Sequence, residues 1–182
     1  MHPYKKHYTF KTENSNALKT KLEHYFSKYN FLFEEGYENQ FIFFKKFSVL
    51  DAWKINPLHW ESKVIITLHN ETISIRYSNE GNGQITPHAF DTLFTTFFKN
   101  LEVYINEAKG FKDCNLFAIK KAKQKIGIQY LIVIVIICVF VFFGNYLKEV
   151  FKIKALGYFF IVIGGLFSLK LINSYWINKT TS

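Results

Sequence analysis

Six histidines and two cysteines are the side chains here best suited to nucleophilic or metal chemistry, and their spacing points to neither. His2, His7, His24, His59, His69 and His88 include no pair three or four residues apart, the separation at which one helical face offers two imidazoles to a metal. Cys114 and Cys138 form no CxxC and have no histidine close in sequence. A reactive thiol needs such a neighbour to lower its pKa, and two cysteines are too few for a disulfide framework. No metal and no cofactor is expected.

Gly81-Asn82-Gly83-Gln84-Ile85-Thr86 falls after a predicted strand and before a predicted helix, where backbone N–H groups can cradle a phosphate. The third glycine and the Lys-Ser/Thr ending of the known phosphate loops are missing. A turn with left-handed backbone accounts for both glycines. Glu34, Glu35 and Glu38 crowd around Gly36; carboxylates so placed can do acid–base work, but a solvated acidic turn is the simpler reading. The aromatic loop residues Trp53, Pro57, His59 and Trp60 form the candidate binding surface, because loops carry recognition more often than cores do. No catalytic residue is assigned, and the chain reads as a non-enzyme.

The elements around these residues are set by periodicity. Residues 87–109 place Phe90, Leu93, Phe94, Phe97, Phe98, Leu101, Tyr104, Ile105 and Ala108 at spacings of three and four, which predicts one long helix with a wide apolar face. Thr86 is its expected N-cap, Pro87 its first residue and Gly110 its stop. A shorter helix is expected over 16–29, capped by Ser15 or Asn14. Alternation with period two predicts strands around Tyr8 and Phe10, around Phe41 and Phe43, and at Val64–Ile66–Leu68 and Ile73–Ile75–Tyr77, the last two joined by a turn at 69–72. Phe31 to Phe33 adds a further short strand or the start of the next. The prediction is an α+β domain over 1–110, an antiparallel sheet of about four or five strands with two helices on one face.

Beyond residue 125 the composition changes in kind. Residues 126–147 carry no charge, and 131–143 are apolar throughout. Twenty-two helical residues reach roughly 33 Å, enough to cross a hydrocarbon core of about 30 Å. A second such run covers 155–177, with Lys170 close enough to its end to snorkel and with Tyr175 and Trp176 at interfacial depth. The short loop at 148–154 makes the pair an antiparallel transmembrane hairpin, followed by a tail at 178–182. Gly164, Gly165 and Ser168 give it a small-residue packing face.

The chain carries a net charge of +9, unevenly divided. Residues 1–110 hold 13 Lys and Arg against 12 Asp and Glu, whereas 111–182 hold 10 against 2. The domain has no overall excess of cations for nucleic acid, and no nucleic-acid partner is expected. Lys120, Lys121, Lys123 and Lys125, in the basic linker 111–125, place the domain and both termini on the cytoplasmic side of the membrane. The start of the chain has no apolar stretch of signal-peptide length. The 21 phenylalanines and 11 tyrosines exclude a disordered chain. The sequence thus reads as a two-span protein of a bacterial inner membrane. Its cytoplasmic domain is expected to be a non-enzymatic binding, scaffolding or regulatory subunit, with the lipid bilayer and a membrane protein or second copy as partners. Alternatives are a ligand sensor coupled to an oligomerising hairpin, and an enzyme using residues near His59, Glu61 or Asp51 on a membrane-proximal substrate.

Overall fold

The computed structural model describes residues 4–12, 17–34, 39–46, 56–79, 87–152 and 154–175. The period-two segments form β1 (Lys5–Lys11), β2 (Leu32–Glu34), β3 (Gln40–Lys45), β4 (Ser62–His69) and β5 (Thr72–Asn79). They pair in the order β1-β5-β4-β3-β2, every neighbour antiparallel. The expected α+β architecture is present. Asn70 sits at φ 52° between β4 and β5, a conformation asparagine tolerates better than most residues.

Register decides what each face of the sheet carries. Phe33, Phe43, Val64, Tyr77 and Lys6 lie in one cross-strand row, with Ile66, Ile75 and Tyr8 in the next row on the same side. Helices α1 (Leu18–Ser27) and α2 (His88–Glu107) cover that side. Phe26 of α1 stacks on Phe43 with ring centres 4.5 Å apart, and Phe94 of α2 lies 4.2 Å from Tyr77. Phe26, Phe43, Ile66, Ile75, Phe94 and Phe98 are essentially inaccessible. At about 25 cal/mol per Å² such aromatic burial dominates the stability of the domain.

The helix ends differ from their expected positions. Pro87 is the cap of α2 and not its first residue, because its ψ of 143° is extended; its carbonyl accepts from the Phe90 amide at 2.8 Å. The fixed φ of proline fits either role, so the residue type did not distinguish them. Helix α2 stops at Glu107, where Ala108 turns left-handed at φ 53°, two residues ahead of Gly110. Helix α1 is shorter than 16–29 and is preceded by Ala17 at φ 58° without a side-chain cap. The caps expected at Asn14, Ser15 and Thr86 lie outside the described residues.

Helix α3 (Lys112–Phe151) runs 40 residues, and α4 (Lys154–Tyr175) runs 22. The chain divides into two compact units between Lys123 and Gln124. In the first unit, Phe111, Asn115, Ile119 and Ala122 repeat at helical spacing and are buried, so the basic linker begins as part of the domain's core.

The second unit is an antiparallel helix pair. A Cβ on Gly144 would lie 2.8 Å from the Gly157 carbonyl oxygen, and one on Gly164 would lie 2.3 Å from Phe140 Cβ. Small residues therefore let the two backbones approach. Val133, Gly144 and Leu147 of α3 and Gly157, Gly164 and Ser168 of α4 are buried along the seam. Phe142, Phe143, Tyr158, Phe159, Leu166 and Phe167 are exposed around it. The helices turn between Phe151 and Lys154, with Lys152 left-handed at φ 54°.

Candidate functional site

Two polar clusters stand out against the aromatic core. Tyr4 and Lys6 share the inward parity of β1, and both reach Asp91 in the first turn of α2. The Tyr4 hydroxyl donates to Asp91 Oδ1 at 2.6 Å and Lys6 Nζ donates to the same oxygen at 2.8 Å. Burial by itself would raise the Asp91 carboxyl; the bonds from Lys6 and Tyr4, with the Lys6 charge, outweigh it and hold the carboxyl below its ordinary value. Burial and then Asp91 push the Tyr4 phenol up. Further along β1 the Tyr8 hydroxyl donates to Glu102 at 2.6 Å; burial and this bond push it up to about 12.

The second cluster centres on Asn115, which is 1% exposed. Its Nδ2 donates to the hydroxyls of Tyr25 at 2.8 Å and Tyr29 at 2.7 Å, and its Oδ1 accepts from Asn100 Nδ2 at 2.7 Å. Tyr25 in turn donates to the Phe97 carbonyl at 2.7 Å. One amide thus joins α1, α2 and the start of α3. Each donor and acceptor has a partner of good geometry, the condition under which a buried polar group stabilises rather than costs.

Both clusters are tied up in structural bonds. An open groove of about 610 Å³ lies elsewhere, lined by Leu32, Phe33, Glu34, Phe44, Lys46, Glu61 and Lys63 at the β2 end of the sheet.

The residues singled out from sequence are dispersed. Pro57 is buried beside Leu58 in a short 3₁₀ turn that Asn56 caps, and Trp60 packs edge-on against Phe90 at 5.3 Å. His59 is half-buried, as is Glu61, which borders the groove. Trp53, Asp51, Glu35, Glu38, the loop 81–86 and the tail 178–182 lie outside the described residues. Lys120, Lys121, Lys123 and Lys125 are exposed on α3. Gly164 meets Phe140, Ser168 is buried with its hydroxyl unbonded among the described residues, and Gly165 faces open space. Cys114 and Cys138 are exposed thiols. Among the described residues no three His, Cys, Asp or Glu side chains are grouped to hold a metal.

No family model matches the chain, and neither a curated protein nor a solved structure is significantly similar to it. Function must therefore be argued from its own residues.

Sequence reasoning passed over Asn115 and Asp91. Signals for both were present. Extending the buried register from Phe111 through Ile119 and Ala122 puts Asn115 inside, where an amide needs partners. The parity that turns Tyr8 and Phe10 inward also turns Lys6 inward, where an ammonium needs a carboxylate.

Proposed function

We propose that this is a small integral membrane protein whose N-terminal α+β domain acts as a non-enzymatic binding or regulatory subunit of a membrane complex, facing the cytoplasm of a bacterial cell. The observation that carries the reading is the exposure of two long apolar helices. The most apolar 18-residue windows of α3 and α4 are only 11% and 17% buried. A core helix of a soluble protein of such composition would be largely covered. The pair buries its small-residue seam and leaves its large side chains outward, which suits a lipid environment. The domain, by contrast, closes its own core and ties its best titratable groups into structural bonds, which favours binding over catalysis.

The lysines at 120–125 supply the orientation through the excess of positive charge on the cytoplasmic side. The test is extraction. Full-length protein should remain in the membrane pellet through alkaline carbonate and leave it only with detergent, and should then elute with a membrane-protein partner or a second copy. Release by carbonate would overturn the membrane reading. A lone detergent-bound monomer captured from native membranes would overturn the subunit reading.

A further inference from the structure

The side of the sheet away from the helices carries a charge pattern that the near-neutral total of the domain conceals. Cross-strand register sets Leu32, Phe44, Lys63, Ser78 and Lys5 in one row and Glu34, Ile42, Ile65, Arg76 and His7 in the next. Lys11 lies in the last row beside Thr72 and His69, and Lys46 follows β3 on the same side as Phe44. With the residues that directly flank its strands, the face thus holds five cations, Lys5, Lys11, Lys46, Lys63 and Arg76, against the two carboxylates of Glu34 and Glu61 among the described residues. None of the five is in an ion pair among the described residues. On the helical side, Asp91 and Glu102 already engage β1.

The pattern is two-sided. Cations and hydroxyls occupy the β1 and β5 region, while Leu32 of β2, Ile42 and Phe44 of β3 and Ile65 of β4 make an apolar corner that Glu34 interrupts, with Leu32 61% exposed. The groove that Leu32 and Phe44 line together with Lys46, Lys63, Glu34 and Glu61 lies where the two regions meet. A surface with unpaired cations beside the exposed Leu32 and the half-buried Ile42 and Ile65 matches a bilayer interface, which presents phosphates above acyl chains. Single-stranded nucleic acid fits it less well, because base stacking is strongest on large aromatic rings standing free across the face, and these rows hold only the half-buried Phe44 and the small imidazoles of His7 and His69.

We propose that this outer sheet face docks on an anionic phospholipid surface, its cations on the headgroups and its apolar corner at the acyl boundary. The proposal rests on the membrane reading above but has its own test. Full-length protein is placed in nanodiscs of phosphatidylcholine alone or with about 30% phosphatidylglycerol, and lysine acetylation is mapped. Lys5, Lys11 and Lys63 should label several-fold more slowly in the anionic discs, an effect removed by about 0.5 M salt, while Lys99 on α2 labels equally in both. Each cation near such a surface is worth about fivefold in partition, so the triple change Lys5→Gln, Lys11→Gln and Arg76→Gln should weaken docking on the order of a hundredfold and restore labelling of Lys63. Near-ultraviolet circular dichroism of the variant should match the parent, since the three side chains point away from the core.

Equal labelling of the sheet lysines in both discs would overturn the proposal, as would their protection by a single-stranded oligonucleotide but not by anionic lipid. Failure to enter discs at all would overturn the membrane reading instead. Anionic vesicles added to the protein in solution would then decide the face, protection supporting it and unchanged labelling overturning it.

Discussion

Asn115, in the first turn of the 40-residue helix, donates to the hydroxyl of Tyr25, 90 residues earlier in the chain, from a position that is 1% exposed. Its second donation, to Tyr29, and the bond it accepts from Asn100 make this amide the common partner of three helices. Asn115→Ala should therefore leave Tyr29 and Asn100 without their buried partner and cost about 2–3 kcal/mol. Asn115→Asp keeps the shape and the acceptor but loses both donations. Chemical denaturation followed by tyrosine near-ultraviolet dichroism should rank the parent above both variants. A loss under about 0.5 kcal/mol for Ala would mean that the bonds are replaced by water.

Acid should weaken the domain through Asp91. Its carboxyl titrates below its ordinary value when folded, so the stability it contributes is present above the unfolded carboxylate pKa and is lost as pH falls through the folded one. Asp91→Asn should be less stable than the parent at neutral pH, and the gap between their melting midpoints should close below about pH 4. A gap that persisted in acid would assign the loss to geometry and not to charge.

Alkali tests the tyrosines. Tyr8 is pushed up to about 12, and burial raises Tyr4, Tyr25 and Tyr77 as well. A phenol whose folded pKa exceeds its unfolded value of about 10 contributes stability that is intact below that value and lost as pH climbs through the folded one. Ionisation of these four phenols, followed by tyrosinate absorbance, should therefore come only above the ordinary tyrosine range, together with loss of near-ultraviolet dichroism. Ionisation of every ring within that range, with the dichroism intact, would contradict the burial of these rings.

The hairpin seam predicts a contrast between neighbours. Gly164→Leu places a side chain where Phe140 already stands and should cost about 1–3 kcal/mol through overpacking, whereas Gly165→Leu points into open space and should be nearly neutral. Thermal denaturation of the two variants in the same detergent gives the comparison. Equal effects would show that Gly164 is not held against α3.

Most of the fold was legible because its elements are strongly periodic. The phenylalanines of α2 recur at three and four, the strands alternate cleanly from Val64 to Tyr77, and residues 126–147 carry no charge. The helix ends were less legible. Ala17 and Ala108 hold left-handed backbone that their residue type does not announce, and Pro87 fits a cap as well as a first turn. The linker 111–125 looked simply basic because its lysines outnumber the four buried positions that fix its first turns, Phe111, Asn115, Ile119 and Ala122. The charge of the sheet face was hidden for a different reason. A sum over residues 1–110 adds side chains on opposite sides of the sheet, and only strand register separates Lys5 and Arg76 from Asp91 and Glu102.

The turn between α3 and α4 occupies only the residues between Phe151 and Lys154. In the proposed bilayer placement, the far side then offers a membrane-impermeant amine reagent only the ammonium groups around this turn, Lys148, Lys152 and Lys154, and the lysines of the domain would react only once the membrane is opened.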